Sequence, residues 1–169
     1  MGRSELVESG RRTILVEGVS DQAALEMLAL RRKLQPPRVI VLGGAHAVRN
    51  HVKQAEPGTE LVGLCDAKEA PLFRRVLIEV HVCEPDLEGE LVRAVGVERV
   101  VQLIEAEGEL DSFRILQRQP AHRSNPMSIQ LARFLSGRSG NKERYARLFV
   151  EALELDRVPP PLDAVLGGP

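Results

Sequence analysis

Short apolar runs rich in β-branched residues alternate with longer, more polar stretches over the first half of this chain. Four such runs predict strands, and enough residues for a helix separate each from the next: Thr13–Val16, Val39–Leu42, Leu61–Cys65 and Leu77–Val82. The second run is apolar throughout, which is typical of a strand covered on both faces. Strands that alternate with helices predict βαβ units and a parallel sheet. We therefore expect an α/β fold with a central four-stranded parallel sheet flanked by helices.

The pattern changes to helices alone after Gly96. Apolar residues such as Val97, Val100, Val101 and Ile104 recur there at helical spacing, which favours helices over strands. Prolines and glycines dominate the end of the sequence, and we expect them to form an extended tail. The predicted organisation has four parts: an N-terminal extension over 1–11, an α/β core over 12–95, a helical appendage packed on the core over 96–156, and a Pro/Gly-rich tail over 157–169.

Composition excludes several classes of protein. The chain has 169 residues, of which 43% are hydrophobic, and this suits one domain with a buried core. Its net charge of −1 argues against a surface that is basic throughout, and the absence of Trp argues against binding single strands mainly by base stacking. No apolar run reaches the ~18 residues that a membrane helix needs. Two cysteines, Cys65 and Cys83, suit a reducing compartment, so we expect a cytoplasmic protein with no membrane partner.

The small net charge conceals two blocks of opposite sign. Residues 54–111 contain fourteen acidic and five basic side chains, whereas residues 112–148 contain eight basic and one acidic. Such blocks commonly form no more than a solvated surface. An acidic cluster beside a basic segment is also what a site for a cation and a phosphate requires.

Acidic side chains follow three of the four predicted strands. They stand in pairs after the first, third and fourth: Glu17 and Asp21, Asp66 and Glu69, and Asp86 and Glu88. Ligands of open parallel sheets lie beyond the carboxyl ends of the strands, so these side chains should converge on one edge. Any single one of them could instead serve as a helix cap. Together, and without accompanying His or Cys ligands, they favour a site for one or two Mg²⁺ or Mn²⁺ ions over a zinc site.

The end of the first strand carries a motif of known type. The segment Leu15–Leu25 contains Glu-Gly-Val-Ser-Asp and resembles the opening motif of the Toprim domain, most closely the version in the overcoming-lysogenization-defect (OLD) family of nucleases. The resemblance extends to Gly43-Gly44, Leu64–Ala67, Asp86–Glu88 and the last helix, and so covers nearly the whole chain. It implies a Toprim-like, Rossmann-like core.

The resemblance implies roles for individual acidic residues. Glu17 matches a glutamate that serves as a metal ligand or general acid–base, and Asp21 matches an aspartate that binds metal. Asp66 matches the first aspartate of an Asp-x-Asp pair, but Lys68 stands in place of the second. Coulomb repulsion from this lysine weakens a second metal site unless Glu69 replaces the missing ligand.

The resemblance also reaches the later part of the chain. Asp86 and Glu88 resemble the late acidic pair of the OLD type, and Lys142 resembles a lysine that approaches the scissile phosphate. Without the resemblance, Lys142 could equally extend into solvent. The basic residues that would suit contact with a nucleic-acid backbone are Arg138, Lys142, Arg144 and Arg147.

Metal-dependent phosphodiester hydrolysis or nucleotidyl transfer on DNA is the function that the resemblance implies. The alternative is a catalytically degenerate Toprim module that binds metal or nucleic acid and regulates a partner ATPase, which the departure at Lys68 favours. A small-molecule phosphohydrolase is a third hypothesis. The nuclease relatives usually carry an ATPase domain ahead of the Toprim domain, and no Gly-Lys-Ser/Thr phosphate loop occurs in this sequence. We therefore expect that any ATPase is a separate partner.

Overall fold

The centre of the molecule is a four-stranded sheet in which all neighbouring strands run parallel. A computed structural model of the chain describes residues 12–137 and 140–167. The sheet has the order β2-β1-β3-β4, so the first strand lies inside it. The strands are β1 (Thr13–Val16), β2 (Arg38–Val41), β3 (Leu61–Asp66) and β4 (Glu79–Cys83). All four predicted strands are therefore present, and the predicted α/β class is confirmed.

Helices connect the strands and then make up the remainder of the described chain. Short 3₁₀ helices span Ala45–Ala47 and Leu155–Arg157. The α-helices are α1 (Val19–Arg31), α2 (Val48–Gln54), α3 (Ala70–Arg74), α4 (Leu87–Val95), α5 (Val97–Ala106), α6 (Leu110–Arg118), α7 (Met127–Ser136), α8 (Asn141–Ala152) and α9 (Pro160–Val165). None of them combines the length and apolar character needed to cross a membrane.

Alternate residues of β1 pack into separate hydrophobic clusters on the two faces of the sheet. Ile14 and Val16 join the larger cluster with α1 and α8, whereas Leu15 packs on the side of α2 and α3. A strand covered on both faces must be apolar at successive positions, which explains its unbroken hydrophobic run. On the second face, a Cβ at Gly63 would lie 2.7 Å from Phe73 Cδ1, so only glycine lets α3 pack this closely.

Aromatic rings join three helices of the second half to one another. Phe113 of α6 meets Phe134 of α7 with centroids 5.4 Å apart, and Phe134 meets Tyr145 of α8 at 6.5 Å. Edge-on contacts of this kind add to the stabilisation from burial alone. Residues on both sides of Gly96 belong to the larger cluster, so the sheet and the later helices share one core. The boundary near Gly96 stays a prediction.

The end of the chain departs from expectation. The residues predicted to form an extended tail include α9, and Leu162 and Val165 on this helix are fully buried. Arg12 holds the helix at its far end, because its Nε donates to the Val165 carbonyl at 3.3 Å. Proline suits the first turn of a helix, where no intrahelical partner for its missing N–H is needed. The expectation of an extended tail was therefore wrong.

Candidate active site

The carboxyl ends of the parallel strands meet at one edge of the sheet, beside a cavity of about 370 Å³. Five of the predicted site residues line this carboxylate cavity: Glu17, Asp21, Asp66, Glu88 and Lys142. The end of β1, the end of β3 and the starts of α1, α4 and α8 each contribute at least one of them. Residues far apart in sequence are thus brought together where parallel-sheet proteins place their ligands.

Asp21 lies in the first turn of α1, whose N-cap is Gly18. The Gly18 N–H donates to Asp21 Oδ2 at 3.0 Å, and the residue is only 7% exposed. Burial raises the pKa of Asp21 to about 7 in spite of this hydrogen bond. The negative charges of Asp66, Glu88 and Glu17 raise it further. Asp21 therefore exchanges a proton near neutral pH and is sensitive to its acidic neighbours.

Asp66 is the last residue of β3 and faces the start of α4. Its Oδ1 accepts a hydrogen bond from the Leu87 N–H at 3.1 Å. Burial raises the pKa of Asp66 to about 7, although this hydrogen bond favours the ionised form. Glu88 and Asp86 add repulsion that acts in the same direction as burial. Two carboxyl groups of the cavity are thus poised between protonation states at neutral pH.

Glu17 follows β1 directly, and its main-chain carbonyl accepts from the Gly43 N–H at 3.1 Å. Burial of this partly exposed side chain raises its pKa, and repulsion by Glu69 adds to the effect. Lys142 and Lys68 lower the pKa of the same carboxyl. The pKa of Glu17 therefore responds to Lys142, which lines the cavity, and to Lys68, which does not line it within the described residues.

Lys142 reaches the cavity from the first turn of α8 and forms an ion pair with Glu88. Its Nζ lies 3.3 Å from Glu88 Oε1, and Glu88 itself is 7% exposed. Burial disfavours the charged lysine, but Glu88, Asp66 and Asp86 outweigh burial and raise the pKa of Lys142. A lysine at a helix N-terminus opposes the helix dipole. The charged form of Lys142 is therefore stabilised by its buried partner Glu88 and not by its own helix.

The start of α8 is anchored two residues beyond Lys142. Arg144 pairs with both Glu107 and Glu109 in the connection between α5 and α6. The Tyr145 hydroxyl donates to the other carboxylate oxygen of Glu109, Oε2, at 3.2 Å. These contacts hold α8, the helix that carries Lys142, against the connection between α5 and α6.

Two predicted acidic ligands are placed differently. Asp86 is the N-cap of α4, and its Oδ1 accepts from the Gly89 N–H at 2.8 Å. Glu69 precedes α3 and affects the pKa of Glu17, but it does not line the cavity within the described residues. Neither side chain lines the cavity within the described residues, and their roles as metal ligands stay predictions.

The predicted phosphate-binding arginines do not line the cavity as the structure describes it. Arg144 is engaged with Glu107 and Glu109, as above. Arg147 Nη2 lies 3.2 Å from Glu26 Oε2 and so ties α8 to α1. Arg138 lies outside the described residues. Lys142 is consequently the basic side chain of the predicted set that faces the described part of the cavity.

Sequence reasoning missed Glu143, Ser136 and Gly137, which also line the cavity. Glu143 stands in the first turn of α8, where the helix dipole favours a carboxylate for local reasons alone. Its neighbour Lys142 was the only sequence signal that could have drawn attention to it. Nothing in the local sequence places Ser136 and Gly137 near β1, because their position depends on how α7 and α8 pack.

The acidic side chains fit a hard divalent cation by their chemistry but are not arranged around one. Within residues 12–137 and 140–167, no three His, Cys, Asp or Glu side chains are grouped as metal ligands. Asp21, Asp66 and Glu88 instead use carboxylate oxygens for the contacts to Gly18, Leu87 and Lys142. These carboxylates line one cavity, and repulsion between them raises the pKa values of Asp21 and Asp66. An all-oxygen set of this kind is what Mg²⁺ and Mn²⁺ prefer.

Comparisons with known proteins agree with this architecture. No protein-family model and no curated protein sequence matches the chain, but solved structures do. The C-terminal region of the Burkholderia pseudomallei OLD protein matches with a TM-score of 0.65 and 16% identity, over 94% of this chain and 96% of that one. The chain has the fold of an OLD C-terminal region.

The same region of the Xanthomonas campestris pv. campestris OLD protein matches with a TM-score of 0.63 and 21% identity, over 95% of this chain and 94% of that one. The OLD-type likeness thus includes the sheet and the later helices together. The Toprim-like fold expected from the Glu17 and Asp21 motif is confirmed. At these identities the likeness establishes the fold, whereas the chemistry of the site depends on this chain's own side chains.

Proposed function

We propose that the chain is a metal-dependent nuclease that cleaves phosphodiester bonds in DNA. The observation that supports this most is the convergence of Glu17, Asp21, Asp66 and Glu88 with Lys142 around one cavity at the carboxyl edge of the sheet. The likeness to the OLD proteins points to the same reaction class.

Glu17, Asp21, Asp66 and Glu88 would hold Mg²⁺ or Mn²⁺ in this cavity. A bound divalent ion supplies Lewis-acid activation of water and neutralisation of phosphate charge. Binding requires Asp21 and Asp66 to be ionised, and their pKa values of about 7 make this favourable only as the pH rises through neutrality. Metal affinity should therefore increase with pH.

Lys142 and Glu17 have roles that follow from their own positions. The ammonium group of Lys142 is charged and half-exposed, so it can approach a phosphate oxygen and offset charge that develops there. Glu17 has a raised pKa and partial access to solvent, which suit a group that takes up or releases a proton. Lys142 would exchange its contact with Glu88 for the phosphate when DNA binds.

Nicking of supercoiled plasmid tests the proposal, with Mg²⁺ or Mn²⁺ in parallel reactions and EDTA in a third. Wild-type protein should nick only with metal, and Asp66→Asn should lower the rate by about a hundredfold or more. Asp111→Asn is the matched control, because this aspartate has a side chain 95% exposed on α6. Wild-type rates in Asp66→Asn or Glu17→Gln would refute the assignment.

A second candidate is a non-enzymatic module that binds nucleic acid and regulates a separate ATPase. Two observations favour it: Lys68 replaces an expected acidic ligand, and no metal-ligand group is assembled among the described residues. This candidate predicts salt-sensitive DNA binding that persists in EDTA, together with no cleavage under any metal. Metal-dependent nicking lost in Asp66→Asn would exclude it.

A further inference from the structure

A second cavity, of about 320 Å³, lies between the 3₁₀ helix Ala45–Ala47, α2 and α3. We call it the arginine cavity. Its polar lining consists of His46, Arg49, Asn50 and Arg75. Apolar side chains form the rest of the lining: Ala45, Val48, Leu72 and Val76.

The charge of the arginine cavity is uncompensated. No acidic residue lines it within the described part of the chain. Arg49 and Arg75 are exposed, and neither guanidinium takes part in an ion pair or hydrogen bond among the described residues. By contrast, Arg12 and Arg144 each contact two carboxylates. The arginine cavity therefore presents guanidinium groups that are available to an anionic ligand.

Helix α2 extends the basic surface beyond the cavity. Arg49 and Lys53 are four residues apart on this helix and both are exposed. Side chains at that spacing lie on one face, about 5–6 Å apart at Cβ. The helix dipole favours a cation at Lys53, in the last turn of α2, but it gives no reason for a basic residue at Arg49 in the first turn. A ligand with repeated negative charges gives one.

The end of β2 connects one residue of the arginine cavity to the strand end that carries Glu17. The Leu42 N–H donates to the Val16 carbonyl at 2.9 Å, and the Gly43 N–H donates to the Glu17 carbonyl at 3.1 Å. Ala45, which lines the arginine cavity, follows Gly43 by two residues and so lies within about 7 Å of it along the chain. The lining of the arginine cavity thus begins at the carboxyl edge of the sheet, the edge that carries the carboxylate cavity, on the side of the sheet covered by α2 and α3.

We propose that the arginine cavity binds backbone phosphates of DNA that flank the phosphate held at the carboxylate cavity, with Arg49 and Arg75 as the contacting residues. This inference rests on the proposed function for its choice of ligand. Guanidinium groups bind phosphate through paired N–H donors, and the contact carries no sequence preference. The site would position a DNA strand for cleavage without taking part in the chemistry.

Fluorescence anisotropy with a labelled DNA duplex in EDTA tests the site separately from cleavage. Arg49→Ala and Arg75→Ala should each weaken binding by roughly five- to tenfold at low salt, equally for duplexes of different sequence. The slope of log affinity against log salt concentration should fall by about 0.9 for each arginine removed. Arg38→Ala is the matched control, because Arg38 is exposed at the opposite end of β2, and it should leave both quantities unchanged.

The inference would be overturned if folded Arg49→Ala and Arg75→Ala variants had the same DNA affinity and salt slope as Arg38→Ala. Wild-type protein that binds poly-glutamate but not DNA through these arginines would also overturn it, in favour of an acidic protein segment. The proposed function is decided by plasmid nicking in Asp66→Asn. Loss of nicking in that variant together with unaltered DNA binding in the arginine variants would reject this inference alone.

Discussion

Carboxyl groups at the two edges of the sheet have pKa values that are shifted in opposite directions. At the amino edge, Arg12 lies 2.6 Å from Glu60 and 2.7 Å from Glu79. The pKa of Glu79 is lowered by a hydrogen bond with His81 and by Arg12, against burial. At the carboxyl edge, burial and mutual repulsion raise the pKa values of Asp21 and Asp66 to about 7.

This difference distinguishes carboxyl groups that stabilise the folded state when ionised from carboxyl groups that destabilise it when ionised. A carboxyl with a lowered pKa contributes to the free energy of unfolding when ionised, whereas one with a raised pKa reduces it when ionised. Buried carboxyl groups that repel one another and have strongly shifted pKa values are a known mark of functional sites. The contrast therefore marks the carboxyl edge as the candidate site on physical grounds that do not depend on any similarity to other proteins.

Replacement of Lys142 is expected to have the largest effect. Lys142→Met removes the cation that we propose to face the phosphate, and should lower the rate of metal-dependent nicking by about 10²–10³-fold. Lys142→Arg keeps the charge and the ion pair with Glu88, and should retain part of the activity. Single-turnover nicking rates measure both. Equal rates in Lys142→Met and wild type would leave the carboxyl edge without its proposed phosphate contact.

Removal of a charge at the carboxyl edge is expected to stabilise the metal-free protein. The folded pKa of Asp21 is about 7, above its ordinary value of 3.8. The folded state therefore holds this proton more tightly than the unfolded state does. The contribution of Asp21 to the free energy of unfolding is fully present below about pH 4 and is lost as the pH rises through 7. Asp21→Asn should raise the free energy of unfolding by about 1–3 kcal/mol at pH 8, since the Asn oxygen can still accept from Gly18.

Urea unfolding in EDTA at pH 8 and pH 4 measures this effect, and the gain should approach zero at the lower pH. Asp111→Asn, on the exposed surface of α6, should change stability little at either pH. A loss of stability in Asp21→Asn at pH 8 would contradict the interpretation of this edge as strained by its own charges.

The amino edge should respond in the opposite direction. Arg12→Ala removes the contacts to Glu60, Glu79 and the Val165 carbonyl, and should destabilise the protein by about 1–2 kcal/mol. The effect should shrink as the pH falls below 4.5, because Glu79 has a lowered pKa and its contribution is lost on protonation. Arg114→Ala, whose pair with Asp111 is exposed at 3.7 Å, should cost less than about 0.5 kcal/mol.

The smallest effect is expected at the anchor of α8. Glu109→Gln weakens the contacts of Arg144 and Tyr145 and should lower the free energy of unfolding by about 1 kcal/mol. If this anchor positions Lys142, the nicking rate should also fall without a change in DNA binding in EDTA. Thermal unfolding and single-turnover rates on the same preparation distinguish a local effect from general destabilisation.

Part of the candidate site followed from sequence order alone. Glu17 and Asp66 stand at strand ends, and a parallel sheet brings such ends to one edge whatever the other details of the fold. Asp86 could not be assigned in the same way, because a carboxylate before a helix can either cap it or face a ligand, and here it caps α4. The sequence also did not indicate that Arg144 and Arg147 would be taken up by acidic partners on other elements.

The sequence by itself determined the α/β class, the parallel sheet and the edge at which the acidic side chains meet. These depend on periodicity and on chain order, which are local properties. Only the tertiary structure decided that Lys142 pairs with Glu88, and that α9 packs as a helix where an extended tail was expected. It also decided that Arg49 and Arg75 share a cavity that no acidic residue lines within the described ranges. Each of these depends on which distant segments pack together. The hydrophobic effect that drives such packing is non-directional, so a local sequence pattern does not indicate which segments will meet.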